Sequence, residues 1–247
     1  MRRNILITGA SSGLGEEMAR QFAAKGHNLV LTARRAERLE ALRAELTERY
    51  PGLTVVVHRL DVNDHNQVFE VFRKADAELT LDRVVVNAGL GKGAPLGTGR
   101  FDANLQTAMT NFVGALAQAE AALELFRARN AGHLVFISSI SALRGLPKTV
   151  TTYAATKAGL ASMAEGLRLE LLNKPIKVST IFPGYIRSEM NDRVANTPLI
   201  VDTVPGVRAI VAAIEAEKEK AYVPPWPWIP LARVMKHAPL PLLKRMI

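Results

Sequence analysis

Thr8-Gly9-Ala10-Ser11-Ser12-Gly13-Leu14-Gly15 follows directly on a short apolar run and leads into Glu16-Glu17-Met18-Ala19-Arg20-Gln21-Phe22, which has a helical pattern. A glycine-rich turn between a strand and a helix lets backbone approach a pyrophosphate closely. It also aims the free N–H groups and the positive end of the helix at that anion. Gly9, Ser11, Ser12, Gly13, Leu14 and Gly15 are therefore the candidate nucleotide contacts. Taken alone, the turn also fits a plainer reading, a tight bend whose glycines serve only positive φ.

Outward from the turn, β-branched runs alternate with longer helical patterns. Strands are expected at 4–8, 29–32, 55–60, 84–87, 134–138, 178–182 and 221–223, and helices near 14–24, 36–49, 66–76, 101–129, 152–172 and 205–217. Most of the strands are apolar throughout, as strands covered on both faces are. In the second helix Leu39, Leu42 and Leu46 recur at spacings of three and four, giving one apolar face. Parallel strands need such crossover helices, and the connection is right-handed. The expected fold is α/β, a Rossmann-type doubly wound parallel sheet of about seven strands, with ligands beyond the carboxyl ends of the strands. One domain over 1–223 would carry a short apolar and basic extension, 224–247.

Composition agrees. The 247 residues suit one α/β domain, a class that reaches roughly 250 residues. A content of 48 % hydrophobic and 22 % charged residues excludes disorder. The absence of cysteine excludes disulfides, thiolate nucleophiles and Cys-based zinc sites, and no metal is expected. The net charge of +9 is basic, but no nucleic-acid reading motif accompanies it, so no nucleic-acid partner is expected. The apolar run after Arg2-Arg3 is too short for a signal-peptide core, and no run approaches the roughly 18 residues of a membrane span. A cytoplasmic location is the expectation.

Thr32-Ala33-Arg34-Arg35 ends the second strand, where dinucleotide folds choose between cofactors. An acid there would bind a ribose 2′-hydroxyl, whereas Arg34 and Arg35 suit a 2′-phosphate, so NADP(H) is favoured over NAD(H). The other reading, solvated arginines at a helix start, leaves positive charge at a helix N-terminus without an anion. Farther on, Tyr153-Ala154-Ala155-Thr156-Lys157 places a tyrosine and a lysine on one helix face. A nearby ammonium favours the phenolate and brings the tyrosine toward acid/base use. Ile137-Ser138-Ser139-Ile140-Ser141 closes the fifth strand and puts hydroxyls at its carboxyl end, where a serine can hydrogen-bond a developing oxyanion.

Together these motifs make the chain resemble a short-chain dehydrogenase/reductase of the NADP-preferring type, over essentially residues 2–223. Thr8, Gly9, Gly13 and Gly15 match its glycine motif, and Asp61 and Val62 its adenine-contacting pair. Asn87, Ala88 and Gly89 match its Asn-Ala-Gly, and Asn111 its helix asparagine. Tyr153 and Lys157 match Tyr-x-x-x-Lys, and Pro183, Gly184, Ile186 and Ser188 resemble the segment that closes over nicotinamide. The resemblance implies a catalytic set of Asn111, Ser139, Tyr153 and Lys157, acting in hydride transfer between nicotinamide C4 and a ketone or secondary alcohol. In it Tyr153 exchanges the proton, Lys157 holds the ribose and lowers the tyrosine pKa, Ser139 positions the substrate oxygen, and Asn111 holds a relay water. An NAD-linked alcohol dehydrogenase of the same mechanism and a non-catalytic nucleotide-binding scaffold are the alternatives. The resemblance also implies a small-molecule carbonyl or alcohol substrate and a homodimer or homotetramer joined through 101–129 and 152–172.

Two departures stand out. Ser139 lies one residue farther from Tyr153 than the family's usual spacing and Ser141 one residue nearer; the Ile-Ser-Ser context favours Ser139. Val86 replaces a frequent asparagine. A substrate lid is expected over about 185–204, where Tyr185, Met190, Val194, Leu199 and Ile200 suggest a partly apolar substrate. After Glu219 no acid occurs, while Lys220, Arg233, Lys236, Lys244 and Arg245 join both tryptophans, Trp226 and Trp228. This mixture suits peripheral membrane contact, packing on the domain or a neighbouring subunit being the other reading. Its prolines are expected to limit any helix to short pieces.

Overall fold

Side chains alternate across each strand, and here both resulting faces are apolar because helices cover both. The computed structural model describes residues 2–189 and 199–246. The chain runs β1 (Asn4–Thr8), α1 (Gly13–Ala23), β2 (Asn28–Ala33), α2 (Ala36–Arg49), β3 (Val55–Arg59), α3 (His65–Glu78) and β4 (Arg83–Val86). It continues through α4 (Phe101–Ala108), a π turn (Met109–Val113), α5 (Gly114–Arg129), β5 (Gly132–Ile137), α6 (Thr151–Glu170), β6 (Ile176–Pro183), α7 (Thr203–Glu215), β7 (Lys220–Val223), α8 (Pro225–His237) and α9 (Leu240–Met246). The strands form one parallel sheet in the order β3-β2-β1-β4-β5-β6-β7. Ile5, Ile7, Leu29, Leu31 and Val85 pack with Met18, Phe22, Leu39, Leu42 and Ile210 on one face. Leu6, Val30, Val84, Leu134 and Phe136 pack with Phe72, Phe126 and Leu160 on the other.

The chain moves outward from β1 in one direction and then returns to begin again at β4, so the strand order switches between β1 and β4. Thr8 and Asn87 close the carboxyl ends of these two strands. The Thr8 hydroxyl accepts the backbone N–H groups of Asn87 and Ala88 (3.0 and 3.1 Å), and the Asn87 amide donates to the Thr8 carbonyl (2.8 Å). Val86 is buried in the sheet, and the Asn87 amide reaches on to the Gly9 carbonyl of the glycine turn (3.4 Å).

Two sequence expectations change. The helix expected over 101–129 is interrupted at 109–113 by the π turn that contains Asn111. The tail is more helical than its prolines suggested, with α8 spanning 13 residues. Pro225 and Pro227 stand at or before its start, where a missing N–H costs little, and non-helical Trp226 separates them from the regular part. Pro230 removes one backbone bond near the first turn. Of the expected lid, residues 190–198, including Met190 and Val194, lie outside the described residues.

Candidate active site

At the β1–β4 switch the glycine turn bends over the ends of the strands. Gly9 adopts φ +66°, which favours glycine, and Gly15 lies so close beneath it that an added Cβ would stand 2.3 Å from the Gly9 carbonyl oxygen. Ser12 precedes α1 without a side-chain capping bond, and the first N–H groups of a helix have no partner within it. A close-approach turn that ends on such a helix is a cradle for phosphate.

Gly9, Ser11, Ser12, Gly13, Leu14 and Gly15 line a cleft of about 770 Å³. Arg34, Arg35, Asp61, Val62, Asn87, Ala88, Gly89, Ser139, Tyr153, Lys157, Pro183, Gly184, Ile186 and Ser188 line the same cleft. Asn111 is the exception. It is buried behind the wall, where its Oδ1 accepts the Leu90 N–H (2.7 Å) and its Nδ2 donates to the Leu90 carbonyl (2.8 Å). The π turn presents this amide to the 89–91 loop, an arrangement such bulges often serve at functional sites.

At one end, Arg34 is exposed, whereas Arg35 folds back over the turn. Its Nε donates to Ser11 Oγ (3.1 Å), its Nη2 to Ser12 Oγ (2.5 Å) and its Nη1 to Glu189 Oε2 (3.2 Å). Arg38 donates to Glu189 Oε1 (2.5 Å), and these arginines hold the Glu189 carboxyl well below the usual carboxylate range. Neither Glu189 nor Arg38 was visible as a site residue in the sequence, because the pairing joins segments about 150 residues apart that share no motif.

At the other end, α6 brings Tyr153 and Lys157 under the carboxyl end of β5. Lys157 Nζ donates to the Ile137 carbonyl (2.8 Å) and lies 5.9 Å from the Tyr153 ring centre. Ser139 Oγ accepts the Ser141 N–H (3.1 Å), and Ser139 is the serine hydrogen-bonded to the Tyr153 phenol. Burial lowers the Lys157 pKa to about 8. Burial also raises that of Tyr153, with the Ser139 hydrogen bond opposing it. The direction is opposite to that expected of a tyrosine beside an ammonium group. The reason is burial, since desolvation of the phenol outweighs the groups that favour its ionised form.

Ser141, Leu146, Pro147, Lys148, Thr149, Val150 and Tyr185 also line the cleft. They come from connections whose packing depends on tertiary contacts, and the sequence carried a signal only for Tyr185 and Ser141.

The family model for short chain dehydrogenases matches residues 3–198, the segment that builds both ends of this cleft. The chain belongs to the short-chain dehydrogenase/reductase family. An uncharacterized oxidoreductase of Mycobacterium tuberculosis is 53 % identical over 245 residues, covering 99 % of this chain and 97 % of that protein. A short-chain dehydrogenase of Sphingobium yanoikuyae, solved in complex with NADPH, is 26 % identical with a TM-score of 0.84, over 98 % of this chain and 95 % of that one. A short-chain dehydrogenase/reductase of Burkholderia phymatum, solved in complex with NAD, shares the fold at 21 % identity with a TM-score of 0.83, over 94 % and 92 %. This short-chain dehydrogenase is accordingly a nucleotide-binding oxidoreductase of Rossmann fold, in a family that uses nicotinamide cofactors.

Proposed function

We propose that the enzyme is NADP(H)-dependent and interconverts a ketone and a secondary alcohol. One observation carries the reading: a single cleft has an arginine folded over two serine hydroxyls at one end and a tyrosine–serine–lysine cluster at the other. The residues fit a dinucleotide, since only a small group can occupy position 15 beneath Gly9 and the turn ends on uncapped helix N–H groups. Arg35, Ser11 and Ser12 would hold the 2′-phosphate, and the glycine turn the pyrophosphate. When bound, nicotinamide supplies or accepts the hydride.

The chain's own residues manage the oxygen and its proton. In reduction the Tyr153 hydroxyl donates to the substrate oxygen, and its raised pKa keeps it protonated for that task. Ser139 orients the phenol and the same substrate oxygen. Lys157, charged through neutral pH with its pKa at about 8, favours the phenolate that remains. Asn111 acts as a positioning residue, fixing Leu90 from behind the wall.

Fluorescence titration with NADPH and NADH tests this reading. NADPH is expected to bind about tenfold or more tightly than NADH, as one or two charge-assisted bonds to a phosphate provide. In Arg35→Ala the two affinities should approach parity. NADH binding as tightly to the wild type would make the enzyme NAD-linked.

The exposed tail favours a second, separate reading, peripheral contact with anionic membranes. Trp226 is 78 % and Leu240 71 % exposed, with Ile229 and Leu242 also outward, among basic Arg233, Lys236 and Lys244. Among the described residues no helix is long and apolar enough to cross a membrane, so any contact made by them is superficial. The full chain should co-sediment with phosphatidylserine vesicles and a double Trp226→Ala, Leu240→Ala variant should not; equal binding by both would remove this reading.

A further inference from the structure

Trp228 lies two residues from exposed Trp226, yet it is only 3 % exposed and sits against the wall of the cleft. A Cβ added to Gly184 would fall 2.0 Å from the indole, so the ring rests on the Gly184 backbone itself. The neighbouring Tyr185 ring meets the indole edge to face, with centroids 5.4 Å apart and planes at 76°. Gly184 and Tyr185 both line the cleft. The indole shares a buried cluster with Ile140, the residue between Ser139 and Ser141. Arg144, just beyond that serine turn, donates from Nη1 to the carbonyls of Met235 (3.0 Å), Lys236 (3.1 Å) and Ala238 (2.8 Å), tying the turn to the end of α8.

Thus α8 grips both segments that shape the substrate end, the serine turn and the Pro-Gly-Tyr loop, through one indole and one guanidinium. The indole Nε1 is buried with no hydrogen-bond partner among the described residues, although a buried donor is costly to leave unpaired. A shape-filling role explains that cost better than hydrogen bonding does. Resting on the oxidoreductase reading above, we infer that Trp228 is a positioning residue that sets the spacing between Ser139 and Gly184–Tyr185, and with it substrate placement. The C-terminal extension thereby acts on the active site, although none of its described residues lines the cleft.

The test uses the full chain and a ketone that the wild type reduces. Trp228→Ala should lower kcat/KM for the ketone by about 10–100-fold, since a displacement of about 1 Å at reacting groups costs about that much. Its NADPH affinity should stay within about threefold of the wild type, because the indole packs on Gly184 and Tyr185 and in the Ile140 cluster, whereas the glycine turn and Arg35 are held by other contacts. Trp228→Phe should recover most of the activity, and Trp226→Ala should leave it unchanged. Unaltered kcat/KM in Trp228→Ala, or an equal loss of NADPH affinity, would overturn the inference.

A second readout needs neither turnover nor a cavity. In a Trp226→Phe protein Trp228 is the only tryptophan, and saturation with oxidised NADP, which accepts no excitation from indole, should shift its emission. Binding seen by calorimetry with no emission change would overturn the inference. A wild type that binds dinucleotide and shows the shift, yet reduces no ketone, would leave the inferred coupling of Trp228 to the cleft supported and refute the assigned reaction instead.

Discussion

Tyr153→Phe is expected to lose ketone reduction by about 10²–10⁴-fold, the range that a general acid contributes, while still binding NADPH within about threefold of the wild type. The substitution removes one oxygen and keeps the ring. The Ser139 hydroxyl retains its bond from the Ser141 N–H, and Lys157 retains Ile137, so the local structure does not depend on the phenol. Without the phenol the neighbouring polar groups do not replace it: Lys157 Nζ is directed at the Ile137 carbonyl and Asn111 lies behind the wall. Steady-state reduction and dinucleotide titration on the same preparation check it. A loss of binding parallel to the loss of turnover would assign Tyr153 to cofactor retention instead.

Gly15→Ala should abolish dinucleotide binding, by about 100-fold or more, and destabilise the fold by about 3 kcal/mol, the upper end of overpacking costs. The new methyl would stand 2.3 Å from the Gly9 oxygen, 2.9 Å from the Gly9 carbonyl carbon and 2.7 Å from Asn87 Nδ2. Two of these atoms are backbone and cannot rotate away. The third belongs to the amide that ties β4 to the Thr8 carbonyl, so relief there would open the strand-order switch. Gly52→Ala, where an added Cβ meets nothing within 4 Å, is the matched control and should unfold and bind like the wild type. Thermal unfolding and NADPH titration of the three proteins measure both effects.

The sheet was legible because its signal is local: short apolar runs such as 4–8 and 134–138 alternate with longer helical patterns, as strands covered on both faces do. Tyr153 and Lys157 were legible for the same reason, sharing one face of one helix. Asn111 was recognisable by its place in a motif, but its task was not, because the amide turns toward Leu90 only through the π turn and the folding of the 89–91 loop. Glu189, Arg38 and Arg144 act through partners far away in the chain, which no spacing announces. The two tryptophans are the sharpest case. Non-helical Trp226 breaks the phase of α8, so the burial of Trp228 beside an exposed Trp226 follows from tertiary packing on Gly184 and from no periodicity.

The most direct measurement supplies NADPH carrying deuterium at nicotinamide C4 with a panel of apolar ketones and examines the alcohols by mass spectrometry, using the wild type and Tyr153→Phe in parallel. The wild type should place one deuterium on the former carbonyl carbon of at least one ketone, and Tyr153→Phe should yield no labelled alcohol over the same period. Absence of label from every ketone with both NADPH and NADH, or equal labelling by Tyr153→Phe, would contradict an oxidoreductase in which Tyr153 supplies the proton.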